Sequence, residues 1–150
     1  MTLTIISVGT RLKASMVPLV EAYEKRLPKH VRISWAYIPH ANGDPRTSKQ
    51  QEAEAILRKV PKDAFVIVLD ERGKQMTSYE HSSLVFGKAK SHIVYIIGGA
   101  YGVDVSVSER ADFIWSLGKL VFPHQLVRLM LVEQIYRAYA IHTDHPYHHD

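Results

Sequence analysis

Apolar positions in this chain fall into two alternating kinds of run. Leu3 to Val8, Ala64 to Asp70 and Ile93 to Ile97 are short, β-branched and nearly continuous, which predicts strands buried on both faces of a sheet. Val31 to Ile38 alternates, with Val31, Ile33, Trp35 and Tyr37 set against smaller or more polar neighbours, and predicts a second strand. Between the strands the period changes to that of a helix. Val17, Val20, Tyr23 and Leu27 recur at helical spacing from Met16 until Pro28 closes the run. Ser48-x-x-Gln51, Thr77-x-x-Glu80 and Ser106-x-x-Glu109 read as capping boxes. They open helices to about Lys59, to about Ala89, and over a short third segment. Phe113 to Leu117 predicts the last strand, and Pro123 fits the first turn of a final helix. Pro39 to Arg46 and Asp70 to Lys74 are predicted as loops, because turn formers or charges replace the apolar pattern there. Alternating strands and helices of this kind predict an α/β domain with a mainly parallel sheet and ligand loops at the carboxyl ends of its strands.

The final helix departs from a simple stripe. Leu126, Val127, Leu129, Met130, Leu131, Val132, Ile135, Tyr136, Tyr139 and Ile141 cover most of its circumference, whereas a helix lying on a sheet needs about 100° of apolar surface. A second apolar partner is therefore expected, either a neighbouring element of the same domain or a second copy of the chain; the expectation taken forward is a homodimer interface.

Composition narrows the class. The 150 residues suit one domain spanning 1–150, and the absence of cysteine excludes disulfides, thiolate zinc sites and cysteine nucleophiles. Met1 to Val8 lacks the basic flank and length of a secretory signal, and Arg128, Glu133 and Arg137 interrupt the longest apolar stretch, which rules it out as the roughly 20-residue span a bilayer requires. A cytoplasmic protein with no membrane partner is the expectation. A net charge of +4 tolerates an RNA partner without demonstrating one.

Three strand-end segments carry the candidate chemistry. Gly98-Gly99-Ala100-Tyr101-Gly102 lies between a strand and a helix, where glycines let a ligand approach the backbone, but it is neither a dinucleotide fingerprint nor a phosphate loop. Leu69-Asp70 and Leu117 to Phe122 end neighbouring strands, so the three could line one pocket or merely connect elements. His145, His148 and His149, with His124 or His142, have nitrogen ligands to offer a metal. No His-Glu-x-x-His pattern or carboxylate partner accompanies them, and Pro146-Tyr147 points instead to a semi-rigid tail that docks; no metal is expected. His30, His40, His81 and His92 are expected at the surface or at strand edges.

Taken together, the motifs are specific. Val8-Gly9-Thr10, Glu24-Lys25-Arg26-Leu27, Leu69-Asp70 with Gly73-Lys74, Ile97-Gly98-Gly99 with Gly102, and Trp115-Ser116-Leu117 precede the most distinctive run, Phe122-Pro123-His124-Gln125-Leu126-Val127-Arg128. Glu133-Gln134-Ile135-Tyr136-Arg137-Ala138 and His145-Pro146-Tyr147-His148 complete the set. Over essentially its full length the chain resembles the ribosomal large-subunit RNA methyltransferase H family of small SPOUT enzymes. The resemblance implies a C-terminal trefoil knot, a homodimer, and S-adenosylmethionine as cofactor. It also implies methylation of N3 of a pseudouridine in the helix 69 stem-loop of 23S rRNA, in the large subunit or the assembled 70S ribosome, with no role for DNA. Carried over by position, Leu69, Gly98, Leu117, Gly118, Lys119, Leu120, Val121 and Phe122 would contact the cofactor. The tail of one subunit would complete the site of the other.

Tyr147 and His148 are then expected to bind and orient the base, with His148 as proton acceptor. Arg128 and Arg137 would hold phosphate or the developing charge, unless they serve as helix-surface or interface salt bridges, for instance with Glu133, and Arg137, His124 and His149 would contact RNA. Two positions depart from the family pattern: Val121 stands where threonine is frequent, and His149 where arginine or lysine is common. The alternative is a non-catalytic ribosome-associated RNA-binding domain, which would bind RNA but not the cofactor.

Overall fold

The structure, a computed structural model, describes residues 1–88 and 90–149; Ala89 and Asp150 lie outside the described residues, and with Ala89 the expected end of the third helix. The elements run β1 (Thr2–Val8), α1 (Val17–Glu24), β2 (Arg32–Ile38), α2 (Pro45–Lys59), β3 (Phe65–Lys74), α3 (Ser78–Phe86), β4 (His92–Ile97), α4 (Val105–Arg110), β5 (Phe113–Trp115) and α5 (His124–His142). Among the described residues the four pairings between these strands are parallel, in the order β2-β1-β4-β3-β5. The predicted α/β class and parallel sheet are what the structure has.

Both faces of the sheet are covered, which explains the continuous apolar runs. On one face Leu3, Ile5, Ile67, Ile93, Tyr95 and Ile97 pack with Val20 of α1, Val85 of α3 and Leu131, Val132 and Ile135 of α5. Alternate residues of the same strands, Ile6, Val8, Val66, Val68, Val94 and Ile96, pack on the other with Ala53 and Ile56 of α2 and Val107 of α4. Each such aliphatic side chain removed from water contributes roughly 1.5 to 3 kcal/mol.

Local capping corrects three predicted boundaries. Asp44, not Ser48, caps α2: its side chain accepts from the Thr47 amide at 3.0 Å and Pro45 occupies the first turn, so the preceding loop is shorter than expected. Asp104, not Ser106, caps α4, and Pro123 is itself the N-cap residue of α5. At Thr77 the reading holds, since Thr77 and Glu80 form both bonds of the capping box.

Asp70 to Lys74 is also not a loop. β3 continues through it, with a register shift between Leu69 and Lys74 opposite Trp115. The charged Glu71, Arg72 and Lys74 are exposed, so extended backbone here puts none of their charge in the core. His81 reverses another expectation. It lies fully buried on the inner side of α3, its Nε2 2.9 Å from the Tyr95 hydroxyl and its ring 4.5 Å from that of Trp115. Burial pushes the imidazole down to about 4, so a neutral ring fills the core.

Two neighbouring helices and the sheet supply part of the partner surface that α5 requires. Leu131, Val132, Ile135, Ala138 and Ala140 are buried. Leu126, together with Leu19 of α1, stays exposed, and a recess of about 420 Å³ lined by Leu19, Tyr23, Leu129, Met130, Glu133 and Gln134 runs between α1 and α5.

Candidate active site

Strands β4, β3 and β5 are neighbours in the sheet, and the loops after β4 and β5 meet the Leu69 to Arg72 stretch of β3, which runs on beyond the end of β4. They enclose an open cleft of about 560 Å³, within the size range of small-molecule sites. Of the eight residues expected to contact the cofactor, Leu69, Gly98, Leu117, Gly118, Leu120, Val121 and Phe122 line it, and Lys119 does not. Two glycines have a stated reason to be there. A Cβ on Gly98 would stand 2.8 Å from Val103 Cγ1 and 3.0 Å from the Gly102 carbonyl, so only glycine allows the loop to close this tightly. Gly118 has φ +148°, and the Ser116 hydroxyl ties the turn by donating to the Gly118 carbonyl at 2.9 Å.

The cleft is apolar on one side and polar at its rim. Leu120 and Val121 are 71% and 82% exposed, more apolar surface than a closed loop would leave in water. Across from them Asp70, held low by hydrogen bonds from Arg72, pairs with that guanidinium at 2.8 Å. His124 also lines the cleft. Burial first, then Arg128, His40 and Lys13, hold its imidazole below the usual value, favouring the neutral ring. The His40 ring lies 6.2 Å away, edge on.

Arg128 has a different place from the one expected of it. Its side chain is fully buried: Nε donates to Ser7 Oγ at 2.8 Å, Nη1 to the Thr10 carbonyl at 2.7 Å, and Nη2 to that of Val8, while Tyr37 lies 5.2 Å from the guanidinium carbon. One helix turn earlier, Gln125 bonds the Lys13 amide and the Arg11 carbonyl. These two side chains of the Phe122-to-Arg128 run clamp the chain after β1 against the start of α5. A guanidinium covered in this way has no face to offer a phosphate, so the expected contact is replaced by a structural one.

A second cluster is built on the middle of α5. After His142 the helix ends, Asp144 turns the chain with φ +54°, and the His145 amide returns to the Ala140 carbonyl at 2.8 Å. That reversal brings the tail back along the helix. Tyr147 donates to Glu133 Oε1 at 3.0 Å, and Arg137 donates from Nε to the same oxygen at 3.0 Å and from Nη2 as well. Arg137 Nη1 is 3.1 Å from His148 Nδ1. A guanidinium only donates, so Nδ1 accepts and a neutral His148 ring carries its proton on Nε2. Glu133 holds the Arg137 guanidinium above its usual value, and burial, then Tyr23 and Glu133, hold the Tyr147 phenol well above its own. His149 is exposed. Among the described residues, no group of three His, Asp or Glu side chains is arranged to hold a metal.

None of Glu133, Arg137, Tyr147 and His148 lines the cleft, although His124 and Val127 of the same helix do. At about 1.5 Å of rise per residue, Arg137 sits about 15 Å along α5 from Val127. Glu133, expected only as a salt-bridge partner, is that partner for Arg137 and also holds the tail. Its i,i+4 spacing to Arg137 was the available signal, but the tail contacts were not predictable from it.

Comparison with known proteins connects these observations to a family. A family model described as "Predicted SPOUT methyltransferase" matches residues 1–148. The chain is similar to proteins named ribosomal RNA large subunit methyltransferase H. It is 38% identical to that of Bifidobacterium adolescentis with 99% of each chain covered, 36% to that of Christiangramia forsetii with 99% of each, and 37% to that of Hydrogenovibrio crunogenus with 100% of each. A solved structure titled "The structure of a probable methylase family protein from Haemophilus influenzae Rd KW20" aligns with TM-score 0.55 at 12% identity, over 99% of this chain and 70% of that one, a likeness of fold alone. No helix among the described residues is long and apolar enough to cross a membrane. With a family match over nearly every residue and relatives this similar end to end, the chain belongs to the SPOUT methyltransferases, in the ribosomal RNA large subunit methyltransferase H family.

Proposed function

We propose that this protein is an S-adenosylmethionine-dependent methyltransferase acting on N3 of a pseudouridine in the helix 69 stem-loop of 23S rRNA, on the large subunit or the 70S ribosome in the cytoplasm. The observation that carries the proposal is the cleft, whose glycine-permitted backbone and exposed Leu120 and Val121 suit an adenosyl group bound through main-chain contacts and apolar surface. Gly98, Leu69 and Leu117 to Phe122 would hold it, within the trefoil knot that the family match suggests. When bound there, the cofactor supplies a methyl group already activated by its sulfonium.

The protein's own residues then have three tasks. The first is alignment of N3 with the methyl carbon and the departing sulfur, which can contribute about 7 to 11 kcal/mol. The second is holding the base: Arg137, Tyr147 and His148 bind and orient it, and His124 and His149 face the RNA around it. The third is loss of the N3 proton, where a positioned base adds about 10² to 10⁴ in rate. With Nδ1 engaged by Arg137, His148 serves orientation, and His124, which lines the cleft and whose imidazole is held below its usual value, is the acceptor. Held by Leu69, Gly98 and Leu117 to Phe122, the cofactor would supply the methyl group to N3 while the acceptor takes the N3 proton.

Because the tail cluster stands away from its own cleft, the reading also places it at the cleft of a second subunit. The exposed Leu19 and Leu126 and the α1/α5 recess are the apolar surface through which two copies would join. The test is methyl transfer from labelled S-adenosylmethionine to 50S subunits, 70S ribosomes and free rRNA, with calorimetry for cofactor binding. Label at N3 of the pseudouridine supports the proposal. Binding of RNA with no cofactor binding would identify a non-catalytic RNA-binding domain instead.

A further inference from the structure

Glu133 bears more hydrogen bonds than an exposed helix pair requires. Its Oε1 accepts from Arg137 Nε, Arg137 Nη2 and the Tyr147 hydroxyl, and its Oε2 accepts from Gln134 Nε2 at 2.8 Å. Gln134 is held in turn, its Oε1 accepting from Ser78 Oγ of α3 at 2.8 Å. Arg137 passes the constraint to His148 Nδ1, and Tyr79 of α3 closes the far side, its ring 4.9 Å from that of His148 and perpendicular to it. The Tyr147 ring is gripped on two sides, by the Arg137 guanidinium at 4.8 Å and the Tyr136 ring at 4.8 Å.

A solvent-exposed i,i+4 pair joins two flexible side chains and leaves the rest of its neighbourhood unaffected. Here the carboxylate and guanidinium are only 18% and 24% exposed, and the pair reaches residues on α3, α5 and the returning tail. Removing the carboxylate charge would release Arg137 and Tyr147 together, and through Arg137 the tautomer of His148. We propose that Glu133 is a positioning residue for methyl transfer, fixing Arg137, Tyr147 and His148 as one rigid unit that meets the target base. This rests on the function proposed above for those three residues.

The test uses the full-length protein on whole ribosomes, with Glu133→Gln, Arg137→Ala and His148→Ala compared for kcat, KM, cofactor affinity and melting temperature. Glu133→Gln keeps the side chain's size but no longer neutralises Arg137. The expected result is a fall in kcat of about 100-fold, as for a misplacement near 1 Å, with cofactor affinity unchanged. The Glu133→Gln, Arg137→Ala double variant should lose no more than Arg137→Ala alone, because the two act as one unit. Losses that multiply in the double variant would overturn the proposal, as would a Glu133→Gln enzyme within twofold of wild type while Arg137→Ala and His148→Ala are impaired. Full activity in all three would instead remove the reading on which the inference stands. If Glu133→Gln does not fold, ¹⁵N spectra of the wild-type and Glu133→Asp proteins replace it. A His148 ring protonated on Nε2 in the wild type and mixed in Glu133→Asp is expected, and identical tautomers in both would refute the coupling.

Discussion

The cleft and the tail cluster are made by different means. The cleft is a product of backbone topology: three adjacent parallel strands bring two loops and the extended end of β3 together, and glycines and apolar side chains let a ligand lie against the main chain. The tail cluster is a product of side chains: one carboxylate on α5 gathers an arginine, a tyrosine and a glutamine, and through the arginine a histidine. The first tolerates changes in polar side chains and fails when the backbone is displaced. The second should fail when a single hydrogen-bonding group is removed while the fold survives.

The largest effect is expected beneath the cleft, where Arg128 clamps the segment after β1. Arg128→Met leaves Ser7 and the carbonyls of Val8 and Thr10 without their donor, and should cost about 3 to 5 kcal/mol in denaturant unfolding, degrading the cleft and the tail alike. Next comes acid. His81 supports both regions, touching Trp115 of the cleft wall while riding on α3 beside Tyr79. Its value is near 6.5 in the unfolded chain and about 4 in the folded one, so only the unfolded state takes up the proton between them. Its contribution is fully present above about pH 6.5 and is lost as the pH falls towards 4, by about 3 kcal/mol, and denaturant melts of wild type and His81→Gln should show the variant with the shallower pH profile.

A separation of the two regions follows from Gly98→Val. The added side chain meets Val103 and the Gly102 carbonyl, and should weaken cofactor binding by roughly 10- to 100-fold in calorimetry, corresponding to about 1 to 3 kcal/mol of overpacking, with ribosome affinity retained. The smallest effect lies on the tail side. Thr77→Ala breaks the capping box of α3 and should cost about 1 kcal/mol of stability; since Ser78 and Tyr79 follow directly, kcat should fall more than cofactor affinity does.

How far each region could be read in advance follows from the same contrast. The cleft depends on where strands stop and which residues interrupt them, so Gly98 and Leu117 to Phe122 were visible as punctuation in apolar runs. The Thr77–Glu80 box was visible because both halves are local. Asp44 and Asp104 were overlooked in favour of nearby serines, since a shorter Asp cap competes on the same few residues. At Asp70 to Lys74 polarity does not mean loop, because an extended strand carries charge freely where its side chains, here Glu71, Arg72 and Lys74, are exposed. Arg128 and His81 could not be placed by pattern. Their burial depends on partners more than 100 residues away in the first case, and on the inward face of a short helix in the second. The tail cluster needs the turn at Asp144 to bring Tyr147 back to Glu133, 14 residues earlier, and no periodicity announces that return.

The central claim is that the two regions form one active site by meeting across two subunits. It is tested most directly by co-expressing Gly98→Val and Arg137→Ala subunits under different tags, isolating the mixed species, and measuring methyl transfer to ribosomes. Each parent should be nearly inactive alone. The mixed species should recover about half the activity of the wild type, because it pairs the intact cleft of the Arg137→Ala subunit with the intact tail of the Gly98→Val subunit; mixed species no more active than either parent would contradict the account.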